Sequence, residues 1–455
     1  MQQKAVVLSW QKTGFVNISD KPHNREFFAS GIGFVLAAAG SAVGLGNMWR
    51  FSYMAAEGGG AAFVLLYLLM TFLIGVPVMA IEFAIGRRAR SSPIGAVRNI
   101  GGRGWGLLGY LLVLTPVIIL AYFSVIAGWA LHYAVDALTG FSTTPSDRFA
   151  AISTGKPAIM YHLALMAVTI LVVLFGVRRG IERTALILMP VLFIILIGLA
   201  LWASQLPGAA EGYSFYLQPS FEALLSPTVF RQAASQAFLS LSVGMGIMIT
   251  YASYLSREEN LVKNAMIVSL ADFSVAFIAG LVVFPIIFAL GISEEISNST
   301  IGTLFISIPH AFQQMGELGQ AIGLAFFLVL AVAGLTSSVS LLEVGAASLI
   351  DEFKLSRRKA TLLAGVGAAI VGILPAMSQD ILGHMDKISG ELLVIFGALG
   401  MAVLGGWVMK DPRAELAEGA APWARRLIPA LLFLIRYLIP VFLLIILALS
   451  LAETL

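Results

Sequence analysis

The chain has 455 residues, of which 59% are hydrophobic and 12% charged, and its mean hydropathy is +0.91. Soluble domains carry roughly 25% charged residues, so this composition indicates a polytopic membrane protein and excludes a soluble enzyme or nucleic-acid-binding protein, despite a pI near 9. The absence of cysteine excludes disulfides, thiolate metal sites and cysteine nucleophiles.

Eleven apolar runs are each long enough to cross about 30 Å of hydrocarbon. We number these predicted spans 1 to 11, and they cover residues 27–50, 60–85, 105–135, 157–177, 184–204, 230–255, 262–291, 317–350, 360–378, 390–409 and 427–451. The polar segment 1–24 lacks the pattern of a cleaved signal, so span 1 is expected to be retained. The stretch 293–316 predicts a short helical loop on the outer face.

Basic residues are distributed unevenly between the connections. Most of the 28 lysines and arginines fall on the N-terminus and on every second connection after it. Because cytoplasmic loops of membrane proteins are enriched in these residues, the pattern predicts a cytoplasmic N-terminus. An odd number of spans then places the C-terminus outside.

Spans 1 and 6 are both interrupted by glycines, at Gly44 and Gly46 and at Gly244 and Gly246. Glycine costs a helix about 1 kcal/mol relative to alanine, and unpaired backbone groups at membrane depth are tolerated where they line a cavity. Because five spans separate the two interruptions, they enter from opposite sides, as in an inverted repeat of five plus five helices. The predicted organisation is a first repeat at 25–204, an extracellular connection at 205–229, a second repeat at 230–410, and a cytoplasmic linker with helix 11 at 411–455.

Polar residues inside the spans suggest ion binding. A charge at membrane depth normally faces the protein interior or a wet pathway, so Asp272 in span 7 is interpreted as an ion site, with a structural hydrogen-bonding role as the alternative. For Arg436 in span 11 we favour a structural role, since arginine can snorkel. Thr336, Ser337 and Ser338 in span 8 fit a hard-cation site, although such hydroxyls usually bond to their own helix.

These features together indicate a secondary transporter. Half-helix N-termini attract a carboxylate, and freed carbonyls attract Na⁺. The sequence has no phosphate-binding loop, so ATP-driven transport by this chain is not expected. No organic cofactor is expected either.

Four motifs then resemble those of the neurotransmitter:sodium symporter family. They are Gly-Leu-Gly-Asn-Met-Trp-Arg-Phe at 44–51, Arg-Glu at 25–26, Thr-Tyr-Ala-Ser-Tyr at 250–254 and Gly-Leu-Thr-Ser-Ser at 334–338. The resemblance runs from about residue 25 to the end. It implies an all-α membrane protein with the leucine-transporter-like 5+5 inverted repeat, discontinuous helices 1 and 6 and an eleventh helix, as in many bacterial amino-acid transporters. It also implies a bacterial-type cytoplasmic membrane and no enzyme activity.

The resemblance further implies two Na⁺ sites. The first would use Ala42, Asn47, Ser240 and Asp272, and the substrate carboxylate would complete it. The second would use the carbonyls of Gly40, Val43 and Ala333 with the hydroxyls of Thr336 and Ser337. Oxygen ligands of these kinds suit a hard monovalent cation.

The substrate pocket and the gates are implied in the same way. The pocket would consist of Ser41, Ala42, Gly44, Leu45, Gly46, Phe123, Phe238, Leu239, Ser240, Ser242, Met245, Ser337 and Leu341. The outer gate would pair Arg50 with Asp386 near Gln236, and the inner gate would pair Arg25 with Asp351 near Ser253 and Tyr254. Gly180 and Pro190 in span 5 resemble a motif at which helix 5 unwinds to admit water to the second Na⁺ site.

Several positions depart from the family pattern. Phe123 stands where a tyrosine hydroxyl usually holds the substrate carboxylate. Asp272 replaces a common asparagine and Ala276 the serine of chloride-dependent members, so transport is expected to be independent of chloride. Met245 and Leu239 replace phenylalanines and leave more room, which predicts bulky aliphatic or aromatic amino acids as substrates.

The leading hypothesis is therefore a Na⁺-coupled symporter that imports hydrophobic L-amino acids by alternating access. Phe123 favours, as an alternative, a symporter for another small amine or zwitterion. A channel conflicts with the paired gates, and a membrane-embedded enzyme would need a matched nucleophile and base, which we do not find. A non-transporting amino-acid sensor stays open. The expected partners are the small-molecule substrate, Na⁺ and the lipid bilayer, with no nucleic acid, and the oligomeric state is unspecified.

Overall fold

The computed structural model describes residues 26–48, 50–289 and 303–452, and in this part of the chain every regular element is helical. Nine of the described helices are long and apolar enough to cross a membrane, and one bent pair makes a tenth. Spans 2, 3, 4, 5, 7, 8, 9, 10 and 11 are Ala61–Ala89, Arg103–Thr139, Gly155–Leu174, Val177–Ala203, Leu261–Ala289, Gly316–Phe353, Arg357–Met377, Gln379–Val408 and Pro422–Leu449. The bent pair is span 1.

Short helices fill the connections. They are Pro93–Gly101, Pro145–Ser153, Ala209–Leu217, Phe221–Leu224, Ile308–Gln314 and Pro412–Ala417. The described part of the predicted loop 293–316 is helical, with a π-turn at Thr303–Ser307 before Ile308–Gln314. Residues 1–24 and 293–302, for which a terminal segment and the start of this loop were predicted, lie outside the described residues.

Two helices begin earlier than hydropathy predicts. Span 5 starts at Val177 rather than at residue 184, and span 10 at Gln379 rather than at residue 390. At span 10 the hydroxyl of Ser378 caps the helix by accepting the N–H of Ile381. The first turns contain Asp380, Asp386 and Lys387, so an apolar window detects only the later part of a helix that continues beyond the hydrocarbon.

Span 1 is broken at Val43 and Gly44. The helix Gly31–Ala42 ends where Val43 leaves the helical region, at φ −71° and ψ 89°, and a second segment, Leu45–Glu57, departs at 57°. The backbone N–H of Gly44 donates to Oδ1 of Asn47 over 2.9 Å. A side chain therefore takes the place of the helical acceptor that the break removes.

Span 6 is broken over six residues, 241–246, between Pro227–Ser240 and Ile247–Ala252. Ser242, Gly244 and Gly246 have φ values of 54°, 77° and 72°, in the left-handed region that favours glycine. A Cβ on Gly244 would clash with the carbonyl oxygen of Val394. The N–H of Gly244 donates to Oε1 of Glu82 in span 2 over 2.7 Å, so a buried carboxylate holds this interruption.

We predict that Gly244→Ala lowers stability by about 1–3 kcal/mol, because the methyl group meets the backbone of span 10 and the left-handed conformation is strained. Gly367→Ala is the matched control, since nothing lies within 4 Å of a Cβ there. Thermal unfolding of the purified variants measures both effects. Equal melting temperatures for the two variants would contradict the conclusion that Gly244 is packed against span 10 in a left-handed conformation.

Candidate functional site

A cavity lies where the two interruptions meet. Spans 1, 3, 6, 8 and 10 contribute its walls. It is lined by Ser41, Ala42, Gly44, Gly46, Asn47, Arg50, Ile119, Tyr122, Phe123, Gln236, Leu239, Ser240, Ser242, Met245, Ile247, Ser337, Ser340, Leu341 and Asp386. Most of its polar groups come from the broken helices and span 8, and its larger apolar side chains come from spans 3, 6 and 8.

All but two of the predicted pocket residues line this cavity, and Leu45 and Phe238 do not. Leu45 is fully buried and points toward Gly334 in span 8, with its Cδ1 3.6 Å from where a Cβ on that glycine would lie. In span 6 the lining residues Gln236, Leu239 and Ser240 share one helical face by their i, i+3 and i+4 spacing. Phe238 falls off that face into the core.

Four lining residues were not predicted: Ile119, Tyr122, Ile247 and Ser340. Two of them follow from helical spacing. Ile119 precedes Phe123 by four residues in span 3, and Ser340 follows Ser337 by three in span 8. That spacing was the signal by which the sequence could have revealed them.

The predicted first-site residues Asn47, Ser240 and Asp272 are in direct contact. Nδ2 of Asn47 and Oγ of Ser240 each donate to Oδ1 of Asp272 over 2.7 Å. Nδ2 of Asn47 also donates to the backbone carbonyl of Asp272 over 3.1 Å. Ala42 lines the cavity beside this cluster. Spans 1, 6 and 7 are thereby joined at one carboxylate.

Tyr67 in span 2 belongs to the same cluster and was missed in the sequence. Its hydroxyl donates to Oδ2 of Asp272 over 2.6 Å and lies 3.1 Å from Oγ of Ser240. Tyr67 sits inside an apolar run, and no sequence signal connects it with a residue 205 positions away.

The charge of Asp272 is the notable feature of this cluster. The side chain is fully buried, and among the described residues its partners Asn47, Ser240 and Tyr67 are all neutral. A buried carboxylate without a positive partner is costly. Carboxylate, hydroxyl and amide oxygens beside a broken backbone are the ligands that a hard cation prefers, so the residues present fit Na⁺.

The predicted second-site residues are also near one another. The hydroxyl of Thr336 donates to the carbonyl of Ala333 over 3.1 Å, and a Cβ on Gly40 would lie 3.4 Å from Cβ of Thr336. The hydroxyl of Ser337 approaches the carbonyl of Ser41 at 3.3 Å. Val43 marks the break itself. This donor set of carbonyls and hydroxyls also fits a hard cation.

Serine hydroxyls tie the two interruptions together. The carbonyl of Ser41, in the last turn before the break in span 1, accepts hydrogen bonds from Ser242 over 3.0 Å and from Ser337. The hydroxyls of Ser41 and Ser340 lie 2.7 Å apart. A carbonyl freed by the break in span 1 is therefore held by spans 6 and 8.

The predicted outer-gate residues border the same cavity. Arg50 and Asp386 both line it, and the hydroxyl of Tyr122 donates to Oδ1 of Asp386 over 2.8 Å. Nε2 of Gln236 donates to the carbonyl of Gly46 over 3.1 Å. The hydroxyl of Tyr122 is thus bonded to an acid of span 10 that also lines the cavity.

The predicted inner-gate residue Arg25 lies outside the described residues. Asp351 accepts the backbone N–H of Ser92 over 2.6 Å. The carbonyl of Tyr254 accepts the N–H of Phe28 over 3.2 Å, and the hydroxyl of Ser253 donates within its own helix. The chain just before span 1 therefore contacts the end of span 6, and span 8 contacts the connection that follows span 2.

A largely buried ion pair lies next to Tyr254. Oε2 of Glu343, in span 8, is 2.6 Å from Nη2 of Arg357, and Oε1 accepts the hydroxyl of Tyr254 over 2.6 Å. Arg357 also donates to the carbonyl of Val173 at the end of span 4. This ion pair therefore links spans 4, 6, 8 and 9.

Span 5 contacts the first half of span 1 at two levels. The carboxylate of Glu182 accepts the N–H groups of Ala29 and Ser30 and the hydroxyl of Ser30, at 2.7–3.2 Å. Glu182 ends a π-turn, Val177–Glu182, that contains Gly180. Farther along, Sδ of Met189, next to Pro190, would lie 3.2 Å from a Cβ on Gly40. At both Gly180 and Pro190 the chain is helical in this structure.

Comparison with known proteins now decides the family. A model of the sodium:neurotransmitter symporter family matches residues 25–145 and 151–454. The chain belongs to this family. A protein of Haemophilus influenzae described as an uncharacterized sodium-dependent transporter is 34% identical over 416 residues, which cover 85% of this chain and 90% of that protein. The sodium-dependent nutrient amino acid transporter 1 of Drosophila erecta is 28% identical over 448 residues, covering 82% of this chain and 70% of that protein.

A solved structure matches nearly the whole symporter. The crystal structure of MhsT in complex with L-phenylalanine is 38% identical, covers 94% of this chain and 99% of that chain, and superposes with a TM-score of 0.84. The expected leucine-transporter-like fold is thereby confirmed, with discontinuous helices 1 and 6. The protein is a sodium-dependent symporter with several membrane spans. The assignments of individual residues to sites and gates stay predictions.

For this symporter we predict that Glu343→Gln lowers stability by about 3–5 kcal/mol, because it leaves the largely buried Arg357 guanidinium without its countercharge. The double variant Glu343→Gln/Arg357→Gln should lose less than the sum of the two single variants. Thermal unfolding in detergent measures all three.

The exposed pair Arg257–Glu418 gives the control, since its atoms are 3.6 Å apart with side chains 61% and 39% exposed. Glu418→Gln should change stability by less than about 1 kcal/mol. Additive losses in the double variant, or equal losses for Glu343→Gln and Glu418→Gln, would contradict the buried-pair interpretation.

Proposed function

We propose that this symporter imports bulky hydrophobic L-amino acids together with Na⁺, without a requirement for chloride. Its N-terminus would lie in the cytoplasm and its C-terminus outside a bacterial-type cytoplasmic membrane, with the two repeats at 25–204 and 230–410. The observation that carries the proposal is the fully buried carboxylate of Asp272, held by neutral donors beside a cavity between two broken helices.

Na⁺ at the first site would neutralise Asp272. In the structure Nδ2 of Asn47 faces the carboxylate and Oδ1 accepts the N–H of Gly44. An ion bound here would take oxygen from Asn47, Ser240 and Asp272, so the amide of Asn47 would turn and release Gly44. Ion binding would then change the backbone that forms the substrate site, which supports direct coupling between ion and substrate.

The substrate would lie with its charged end on the broken backbone. Leu45 and Gly46 begin the outer half of span 1, and the first N–H groups of a helix have no acceptor within it. These groups and the bound Na⁺ would receive the carboxylate. They would compensate for the missing hydroxyl at Phe123, since the hydroxyl of Tyr122 is already bonded to Asp386.

The side chain of the substrate would meet an apolar wall. Ile119, Phe123, Leu239, Met245 and Leu341 all line the cavity. Methionine and leucine adapt to different shapes more readily than aromatic rings do. The L-phenylalanine in the crystal structure of MhsT supports a substrate with a large apolar side chain.

The second Na⁺ would bridge span 1 and span 8 through Gly40, Val43, Ala333, Thr336 and Ser337. Because Met189 of span 5 packs on Gly40, unwinding of span 5 between Gly180 and Pro190 would expose this ion to water. Closure of Arg50 and Asp386 on one side and of Arg25 and Asp351 on the other would alternate access to the cavity.

Two other functions stay as alternatives. A symporter for another small amine or zwitterion is favoured by the absence of a hydroxyl at Phe123, which lines the cavity. A non-transporting sensor would bind the same ligands without moving them. Both are distinguished from the proposal by direct measurement of binding and accumulation.

We predict that, among the twenty amino acids, those with large apolar side chains bind the purified protein in Na⁺ and lose most of their affinity in K⁺. Asp272→Ala should abolish this Na⁺ dependence, because the cation loses its charged ligand. Accumulation in proteoliposomes along an inward Na⁺ gradient separates a transporter from a sensor.

Ser274→Ala is the matched control for this experiment. Ser274 lies two residues from Asp272 on the same helix, but its partly exposed side chain bonds to the carbonyl of Leu270, so binding should be unchanged. Normal Na⁺ dependence in Asp272→Ala would overturn the first-site assignment. Preference for glycine or for an amine without a carboxylate would overturn the substrate class.

We also predict that replacing chloride with gluconate leaves Na⁺-driven uptake unchanged, because Asp272 supplies a fixed negative charge near the ion. Asp272→Asn removes that charge while keeping an oxygen ligand, so uptake should fall. A clear increase in wild-type uptake on adding chloride would refute chloride independence.

A further inference from the structure

Arg436 is a half-buried charge within span 11, and its guanidinium has a single partner among the described residues. Its Nε donates to the carbonyl of Gly406 over 2.7 Å, and the indole N–H of Trp407 returns a bond to the carbonyl of Arg436 over 3.0 Å. Gly406 lies in the last turn of span 10, and the final carbonyls of a helix receive no hydrogen bond from N–H groups of that helix. Arg436 therefore caps the negative end of that helix.

This cap fixes the guanidinium but uses one of its N–H groups. A Cβ on Gly406 would lie 3.2 Å from Cγ of Arg436, so the glycine lets the stem of the arginine lie against span 10. A guanidinium has five N–H donors in a planar fork. Those on Nη1 and Nη2 have no hydrogen-bond partner in the part of the chain that the structure describes, and they are held at a defined place.

The end of span 10 puts Arg436 near a membrane boundary. Its partner Gly406 lies two residues before the end of that span at Val408, and the polar residues Lys410 and Asp411 follow closely. With the predicted orientation this is the cytoplasmic boundary. The exposed residues Arg425 and Arg426, earlier in span 11, then lie on the cytoplasmic side of it.

Three aromatic residues neighbour Arg436 on spans 10 and 11. Trp407, Tyr437 and Phe433 are 60%, 51% and 59% exposed. The ring of Tyr437 packs against Trp407 at 5.6 Å and against Phe433 at 5.4 Å between centroids. Exposed tryptophan and tyrosine are typical of the level of lipid headgroups. Within the described residues the hydroxyl of Tyr437 has no hydrogen-bond partner.

We propose that Arg436, with Trp407 and Tyr437, binds the phosphate of an anionic phospholipid of the cytoplasmic leaflet in the groove between spans 10 and 11. The planar fork of arginine matches a phosphate with two parallel hydrogen bonds. The capping bond to Gly406 aims the remaining donors, and the rings contact the glycerol and the upper acyl chain. The negative surface of the leaflet favours an anionic lipid over a zwitterionic one.

The test uses Trp407 as its own reporter in nanodiscs that contain brominated phosphatidylglycerol or, in the second arm, brominated phosphatidylcholine at equal mole fraction. The chain has seven tryptophans, so the signal of Trp407 is taken as the difference between the wild type and Trp407→Phe. We expect about fivefold higher occupancy by the anionic lipid, the contribution of one basic residue near an anionic leaflet. Arg436→Gln should remove the preference for the anionic lipid. Its Trp407 signal is taken in the same way, as the difference from the double variant Arg436→Gln/Trp407→Phe.

Arg413→Gln is the control, since Arg413 is exposed on the cytoplasmic helix Pro412–Ala417, and it should keep the preference. If Arg436→Gln does not fold, Arg436→Lys, which keeps the charge without the fork, should show a reduced preference, as should Tyr437→Phe. Unchanged quenching in these variants, or equal quenching by both lipids, would overturn the proposal. Loss of quenching on adding inorganic phosphate would identify a free-anion site and would also overturn it.

Discussion

The structure depends on one constraint: backbone groups that two broken helices release at membrane depth must find new partners. The carbonyl of Ser41 is taken by Ser242 and Ser337, and the N–H of Gly244 by Glu82. Each of these bonds crosses from one helix to another. Satisfying the backbone therefore fixes the two interruptions against each other and against spans 2 and 8, and the cavity is the space that remains between them.

A second set of hydrogen bonds, from side chains, converges on one buried carboxylate beside the interruptions. Asp272 gathers donors from spans 1, 2 and 6, so it joins elements that the interruptions would otherwise leave loosely connected. Side-chain partners differ from helical ones in one respect, because they can be exchanged for an ion or a substrate without unwinding further backbone. An arrangement that stabilises the walls of the cavity is thus also suited to binding.

Much of the fold follows from the sequence because its signals are local. Apolar length identifies the spans, and glycines 44, 46, 244 and 246 identify the breaks. The partners of those breaks were less accessible, because one sequence gives the order of residues along each helix but not the rotation of one helix against another. The sequence therefore did not reveal Tyr67, which lies within an apolar run. It also predicted Phe238 as a pocket residue, whereas in the structure its neighbour Leu239 lines the cavity and Phe238 does not. The early start of span 10 was missed because charged turns at Asp380 and Asp386 hide a continuing helix from hydropathy.

Span 5 shows how the central site connects to the periphery. Glu182 caps the beginning of span 1, and Met189 packs on Gly40 just before the break in the same helix. Both contacts flank Arg183, where a π-turn passes into a regular helix, a place at which backbone bonds are already irregular. A change in the winding of span 5 would therefore alter the contacts at the start of span 1 and the surroundings of Gly40 together. In the proposed transport cycle, span 5 would thus couple access to the cavity with release of the second Na⁺, because it contacts both ends of the first half of span 1.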